Sequence, residues 1–89
     1  MYTIWCKEKK EKPEYSLTYK TFFTKSLEDS KTLVELLAID RILKEILIAE
    51  DTAKYCFIDI DMVYKDTFYV RITNYMKRTE IICEYTICP

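Results

Sequence analysis

The chain has no glycine and no histidine in its 89 residues. Without glycine it cannot build the phosphate-cradling turns of P-loop and dinucleotide-binding folds. Without histidine, the Ser-His and Cys-His nucleophile pairs and the histidine metal sites are also unavailable. What remains is 49% hydrophobic, 33% charged and 15% aromatic, with Pro 2, a balance that excludes disorder, collagen-like repeats and low-complexity linkers. A chain of this length buries about two-thirds of its extended surface, enough for one modest core, so residues 1–89 read as a single domain.

Tyr2-Thr3-Ile4-Trp5-Cys6 alternates polar and bulky residues and predicts a first strand, followed by a charged connection from Lys7 through Pro13 and Glu14. Tyr15 to Thr24 predicts the second strand of a hairpin, with Tyr15, Leu17, Tyr19, Thr21 and Phe23 on one face. Ser26, with Asp29 three residues on, is a loose capping box that starts a helix running to about Glu50. Tyr55 to Val63, Thr67 to Tyr75 and Thr79 to Cys88 predict a three-stranded meander joined by short turns. The fold class is therefore α+β, a mainly antiparallel five-stranded sheet with one long helix on one face, in the order ββαβββ.

Within the helix, Leu33, Leu36, Ile39, Ile42, Leu43, Ile46 and Leu47 recur at three- and four-residue spacing and form the stripe expected to meet the sheet. Val34, Leu37 and Ile48 fall outside it and share a second direction with Arg41 and Lys44. One sheet covers only one side of a helix, so Val34, Leu37 and Ile48 are expected to pack against a second copy.

On the meander, Cys56, Ile58, Ile60 and Met62, then Phe68, Val70 and Ile72, then Ile81, Cys83, Tyr85 and Ile87 are expected to face the helix. The opposite face carries Tyr55, Phe57, Asp59, Asp61, Tyr69, Arg71, Thr73, Tyr75, Glu80, Ile82, Glu84 and Thr86, and its economical account is a cross-strand ion network centred on Arg71. Tyr55, Phe57, Tyr69, Arg71 and Tyr75 there suit a protein interface, since aromatics and arginine are the enriched contact residues. They also suit a stacking platform for single-stranded nucleic acid, but the acids on the same face and the net charge of -1 oppose phosphate binding. Asp59 and Asp61, joined by Glu84, are the fallback set for a divalent metal in a nuclease, and Arg71 among them competes with a cation. No catalytic residue, resident metal or cofactor is expected.

Glutamine is absent and Asn74 is the lone asparagine, while Lys, Glu, Ile and Tyr abound, the amide-poor pattern of hyperthermophile proteins. Intracellular proteins of such organisms are also the exception to the rarity of cytosolic disulfides. Cys6, Cys56, Cys83 and Cys88 form no C-x-x-C, and Cys83 and Cys88 fall on opposite faces of one strand. In a meander Cys56 and Cys83 lie about 9–10 Å apart, so a bond between them needs their strands to be neighbours. That pairing and a bond of Cys6 to Cys83 or Cys56 stand as alternatives to the expected state, in which all four thiols are reduced.

In its composition, the missing glutamine, lone Asn74 and four cysteines, the chain resembles the small proteins encoded by viruses of hyperthermophilic archaea. The resemblance covers the whole chain and no motif. It implies a homodimeric viral protein that binds a host or viral protein, as an inhibitor of host defence for instance. The N-terminus shows neither a signal peptide nor a membrane span, so the expected location is the host cytoplasm. The expectation from a different class is a nucleic-acid-binding or metal-dependent nucleolytic protein using the aromatic and acidic sheet face.

Overall fold

The computed structural model describes residues 1–11, 15–64 and 66–89, with the backbone alone at Val63 and Tyr64. The tip of the first hairpin at residues 12–14 and position 65 of the β3–β4 turn lie outside the described residues. Five strands, β1 (Tyr2–Glu11), β2 (Ser16–Thr24), β3 (Cys56–Tyr64), β4 (Thr67–Asn74) and β5 (Thr79–Cys88), form one sheet in the order β2-β1-β5-β4-β3. Each neighbouring pair is antiparallel. The helix α1 (Leu27–Ala49) and a 3-10 turn (Glu50–Tyr55) carry the chain from the β2 edge to the β3 edge. The α+β class and the order ββαβββ follow the alternation read from the sequence.

The first strand is longer than its apolar residues suggest. Lys7 to Glu11 continue the ladder, with Lys7 in register with Tyr19 on one side and Glu84 on the other. Alternation explains why a charged run can be a central strand: Lys7 and Lys9 stand on the uncovered face, while Glu8 turns toward the helix, where Arg41 meets its carboxylate.

The helix begins as its sequence indicates. Ser26 is the N-cap, its Oγ accepting from the Asp29 backbone N–H at 3.1 Å, with Glu28 and Asp29 in the first turn. Ser30, fully buried, donates its hydroxyl to the Ser26 carbonyl at 3.0 Å and also meets the Thr24 hydroxyl, which ties the end of β2 to the first helical turn. The helix ends without glycine, so Glu50 takes a positive φ of 45° and the backbone tightens into the 3-10 turn. Thr52 Oγ1 donates to the Ala49 carbonyl at 2.8 Å and accepts from Asn74 Nδ2 at 2.9 Å. Asn74 Oδ1 in turn accepts from the Met76 and Lys77 backbone N–H groups. The lone asparagine, itself buried, therefore fastens the helix exit to the β4–β5 hairpin and satisfies that hairpin's turn.

The core lies between α1 and one sheet face: Ile4 of β1, Val70 and Ile72 of β4, and Ile81, Cys83, Tyr85 and Ile87 of β5, beneath Val34 and Ala38 of the helix. This turns α1 away from the expected rotation, although Leu33 and Ile42 of the expected stripe do pack against the core. Val34, assigned above to a dimer interface, is only 4% exposed and sits in the core, and Leu37 is half-buried against it. Ile48 alone of that trio is exposed. Leu36, Ile39, Leu43 and Leu47, expected to meet the sheet, face outward instead. The reason is steric and electrostatic. Ser30, Val34, Ala38 and Ala49 are small enough for the helix to lie close on a sheet crowded with isoleucines, and Arg41 on that side finds a carboxylate beneath it. All four cysteines are free thiols.

Because Ala38 is 4% exposed against a filled sheet face, Ala38→Leu is expected to lower the unfolding free energy by about 1–3 kcal/mol through overpacking. Thr32→Leu, on the exposed side, should change it by less than about 0.5 kcal/mol. Urea denaturation of both variants checks the rotation of the helix.

Candidate binding surfaces

Beneath the helix lies a cluster of charges. The Arg41 guanidinium forks onto Glu8, with Nη2 to Oε1 at 2.6 Å and Nε to Oε2 at 3.0 Å, and its Nη1 reaches Glu45 Oε2 at 3.0 Å. All three side chains are largely withdrawn from solvent. A fork on a carboxylate is a strong, directional contact, and the hydrogen bonds that the guanidinium donates to Glu8 hold it firmly protonated. Burial beside this cluster pushes the Cys83 thiol up to about 11 and raises the Cys6 thiol and Tyr85 hydroxyl as well. Both thiols are thereby poor nucleophiles at neutral pH. The cleft between this cluster and β2, bordered by Lys20, Phe22 and Lys44, holds about 130 Å³, below the size of ordinary ligand pockets. This cluster is structural.

The sheet's second face has no layer over it among the described residues. Trp5 on β1, Tyr19 and Phe23 on β2 and Phe57 on β3 stand more than half exposed there. Trp5 lies opposite Thr21, so Tyr19 and Phe23 flank it diagonally, near enough for large rings to share one contact surface. Lys7 and Lys9 line this β1–β2 half. Lys9 is there paired with Glu11 of the same strand at 2.7 Å, and the other half holds Asp59, Asp61, Glu80 and Glu84 around Arg71, so the face is aromatic with mixed charge at one end and mainly acidic at the other.

The residues expected to bind on this face are only partly together. Phe57, Tyr69 and Arg71 lie on it, and a shallow hollow of about 270 Å³ is bounded by Asp59, Asp61, Tyr69, Arg71 and Ile82. Tyr55 belongs to the 3-10 turn and Tyr75 to the β4–β5 turn, outside the strands. The ion network differs from expectation as well. Arg71 stands across from Asp59 in register, yet its Nε contacts Glu80 Oε1 at 3.2 Å, the diagonal neighbour on β5. Asp61 and Glu84 are separated by Tyr69, whose hydroxyl donates to Glu84 at 3.2 Å. No group of three acidic, cysteine or histidine side chains among the described residues is close enough to hold a metal ion. Trp5, Tyr19 and Phe23 are the binding candidates that the sequence reading left out. Their alternation was visible, but the charged run after Cys6 hid that β1 continues and carries its lysines beside them.

A second uncovered surface is the outward side of α1. Leu36, Ile39, Leu43 and Leu47 are all more than half exposed, Leu47 reaching 74%. Ile60 and Met62 of β3 are also exposed on the helix side of the sheet. Next to them a groove of about 510 Å³ runs between the start of α1 and the β3–β4 hairpin, lined by Leu27, Val34, Met62, Phe68 and Ile87 among others. No described helix is long and apolar enough to cross a membrane.

Two outcomes are expected of the buried cluster. Glu8→Leu and Arg41→Met should each cost about 1–3 kcal/mol, since either leaves a withdrawn charge without its partner, and the double variant should cost less than their sum by about 1 kcal/mol or more. Equilibrium unfolding of the four proteins measures that coupling. The raised Cys83 thiol gives a pH dependence. The unfolded thiol ionises from about 9 while the folded one stays protonated to about 11, so the unfolded state binds fewer protons in that window. Stability then holds below pH 9 and falls as pH rises toward 11, by up to about 2–3 kcal/mol for this group. The urea midpoint should drop across that range, and less steeply in Cys83→Val.

Compared with known proteins, the chain matches no family model, no curated protein and no solved structure.

Proposed function

We propose that the protein is a protein-binding module that engages its partner through the uncovered face of its sheet. The observation that carries this reading is the exposure of Trp5, Tyr19 and Phe23 together on the β1–β2 half of one sheet face, with Phe57 at the β3 edge of the same face and no layer over it among the described residues. A domain whose one helix covers one sheet face has no folding reason to keep three neighbouring large aromatics in water on the other, and such clusters mark interaction sites. Charges of both signs between the rings favour a protein surface, where tyrosine, tryptophan and arginine anchors sit inside a polar rim. Under this reading the partner is a host or viral protein met in the host cytoplasm, the setting that the compositional resemblance suggests, and the protein acts by occupying a surface and not by catalysis.

One observation favours a second reading, single-stranded nucleic acid. Trp5, Tyr19 and Phe23 lie beside Lys7 and Lys9, the combination of stacking surface and cation that holds single strands. The pairing of Lys9 with Glu11, the four acids on the rest of the face and the net charge of -1 weigh against it.

Trp5 is the single tryptophan and stands on this face, so its fluorescence reports on both readings. With single-stranded DNA and RNA at low salt, the emission is expected to stay unchanged, while proteins retained from a host lysate on the immobilised wild type should be lost from Trp5→Ala and Phe57→Ala. Saturable quenching by an oligonucleotide that salt reverses would transfer the assignment to nucleic acid.

A further inference from the structure

The outward side of α1 carries a pattern that a second copy of the same helix can read. Leu36, Ile39, Leu43 and Leu47 follow one another at spacings of three, four and four residues, an apolar seam of the kind by which helices pair. At about 100° per residue these positions span one sector opposite the buried Val34 and Ala38. Ile48 points well away from that sector. Nothing in the described fold covers the seam, and all four side chains are more than half exposed.

We infer that the protein forms a two-fold symmetric dimer in which two copies of α1 pack antiparallel along this seam, crossing near Arg41 and Ile42. The spacing supplies the first argument. Reflected about that midpoint, Leu36 of one copy meets Leu47 of the other, and Ile39 meets Leu43, so the seam is self-complementary, as an isologous interface requires.

Charge supplies the second argument. Asp40 and Lys44 flank the seam on the same side, symmetric about nearly the same midpoint, and each is more than half exposed while paired within its own helix at 2.9 Å. Antiparallel helices bring like flanks together, which sets Asp40 of each copy by Lys44 of the other. A parallel pair instead brings opposite flanks together and sets Glu35 against Asp40 twice, an arrangement that like charges disfavour. Burying the exposed parts of the four seam residues and of the Asp40 and Lys44 side chains that flank them removes about 500 Å² per copy, which meets the roughly 1,000 Å² total that a specific interface needs.

In the dimer the helices stand back to back and both uncovered sheet faces look outward. The proposed binding surface is then presented twice on one particle, so a partner that is itself repeated is held at both ends with a gain from linkage and without any new contact.

Sedimentation equilibrium at high micromolar concentration tests the dimer, with a mass of twice the 10.8 kDa chain expected. Leu43→Lys should give a monomer with an unchanged circular dichroism spectrum, since Leu43 is exposed in the single chain. Asp40→Lys and Lys44→Asp should each weaken association about tenfold, and an equimolar mixture of the two should restore it, because the mixed pair faces lysines with aspartates on both sides. A wild-type monomer, or a dimer indifferent to Leu43→Lys, overturns the proposal. Single charge variants without effect, or a mixture that fails to recover, overturn the antiparallel register.

Discussion

The contact between Arg41 and Glu8 decides how the whole molecule is arranged. Helix α1 is apolar nearly all the way round, so hydrophobic burial by itself gives it several rotations of similar energy. A guanidinium can be withdrawn from water only where carboxylates receive it, and the sheet offers one at Glu8 while the helix supplies Glu45 one turn further on. That requirement selects one rotation. It sends the small residues Ser30, Val34 and Ala38 down onto the sheet and the large aliphatics Leu36, Ile39, Leu43 and Leu47 outward. The same contact makes a strand of the charged run after Cys6, because Glu8 is of use only if the ladder continues past it.

This also explains what could be read from the residues and what could not. The period-two alternation of β4 and β5 and the Ser26 cap are local signals, and the structure follows them closely. The rotation of α1 is not local. Val34 and Leu43 are both good apolar residues at good helical spacing, and the choice between them depends on a charge pair formed across 33 positions of sequence. The length of β1 is hidden for a related reason, since Lys7, Lys9 and Glu11 look like a solvated loop until β2 and β5 are placed on either side. Alternation on β3 to β5 was enough to put Phe57, Tyr69 and Arg71 on one face. The common surface of Trp5, Tyr19 and Phe23 exists only once β1 is seen as an inner strand.

The absence of glycine is visible in the finished fold as well as in the functions it excludes. Glu50 at the helix exit and Arg78 in the β4–β5 turn adopt positive φ values that glycine would hold at lower cost. Around Glu50 the structure supplies compensating bonds, with Thr52 on the Ala49 carbonyl and Asn74 on Thr52. Asn74 serves both places, since its carbonyl oxygen also caps the turn that leads to Arg78. A single amide thus stands where another sequence would use two glycines, and the retention of one asparagine in a chain otherwise free of side-chain amides has a structural cause.

The strand order has a consequence for how the fold is reached. β1, the first strand made, and β5, the last, lie side by side in the middle of the sheet, with each of the two hairpins hanging from one of them. Until β5 has been synthesised, the β1–β2 hairpin offers an open inner edge and an unroofed apolar face, and α1 has only part of the surface on which it rests. Folding during synthesis therefore cannot proceed domain-fashion from the N-terminal side. The central pairing joins strands distant in sequence, and while it is unmade a chaperone, or a neighbouring copy with a free strand, can compete for that edge.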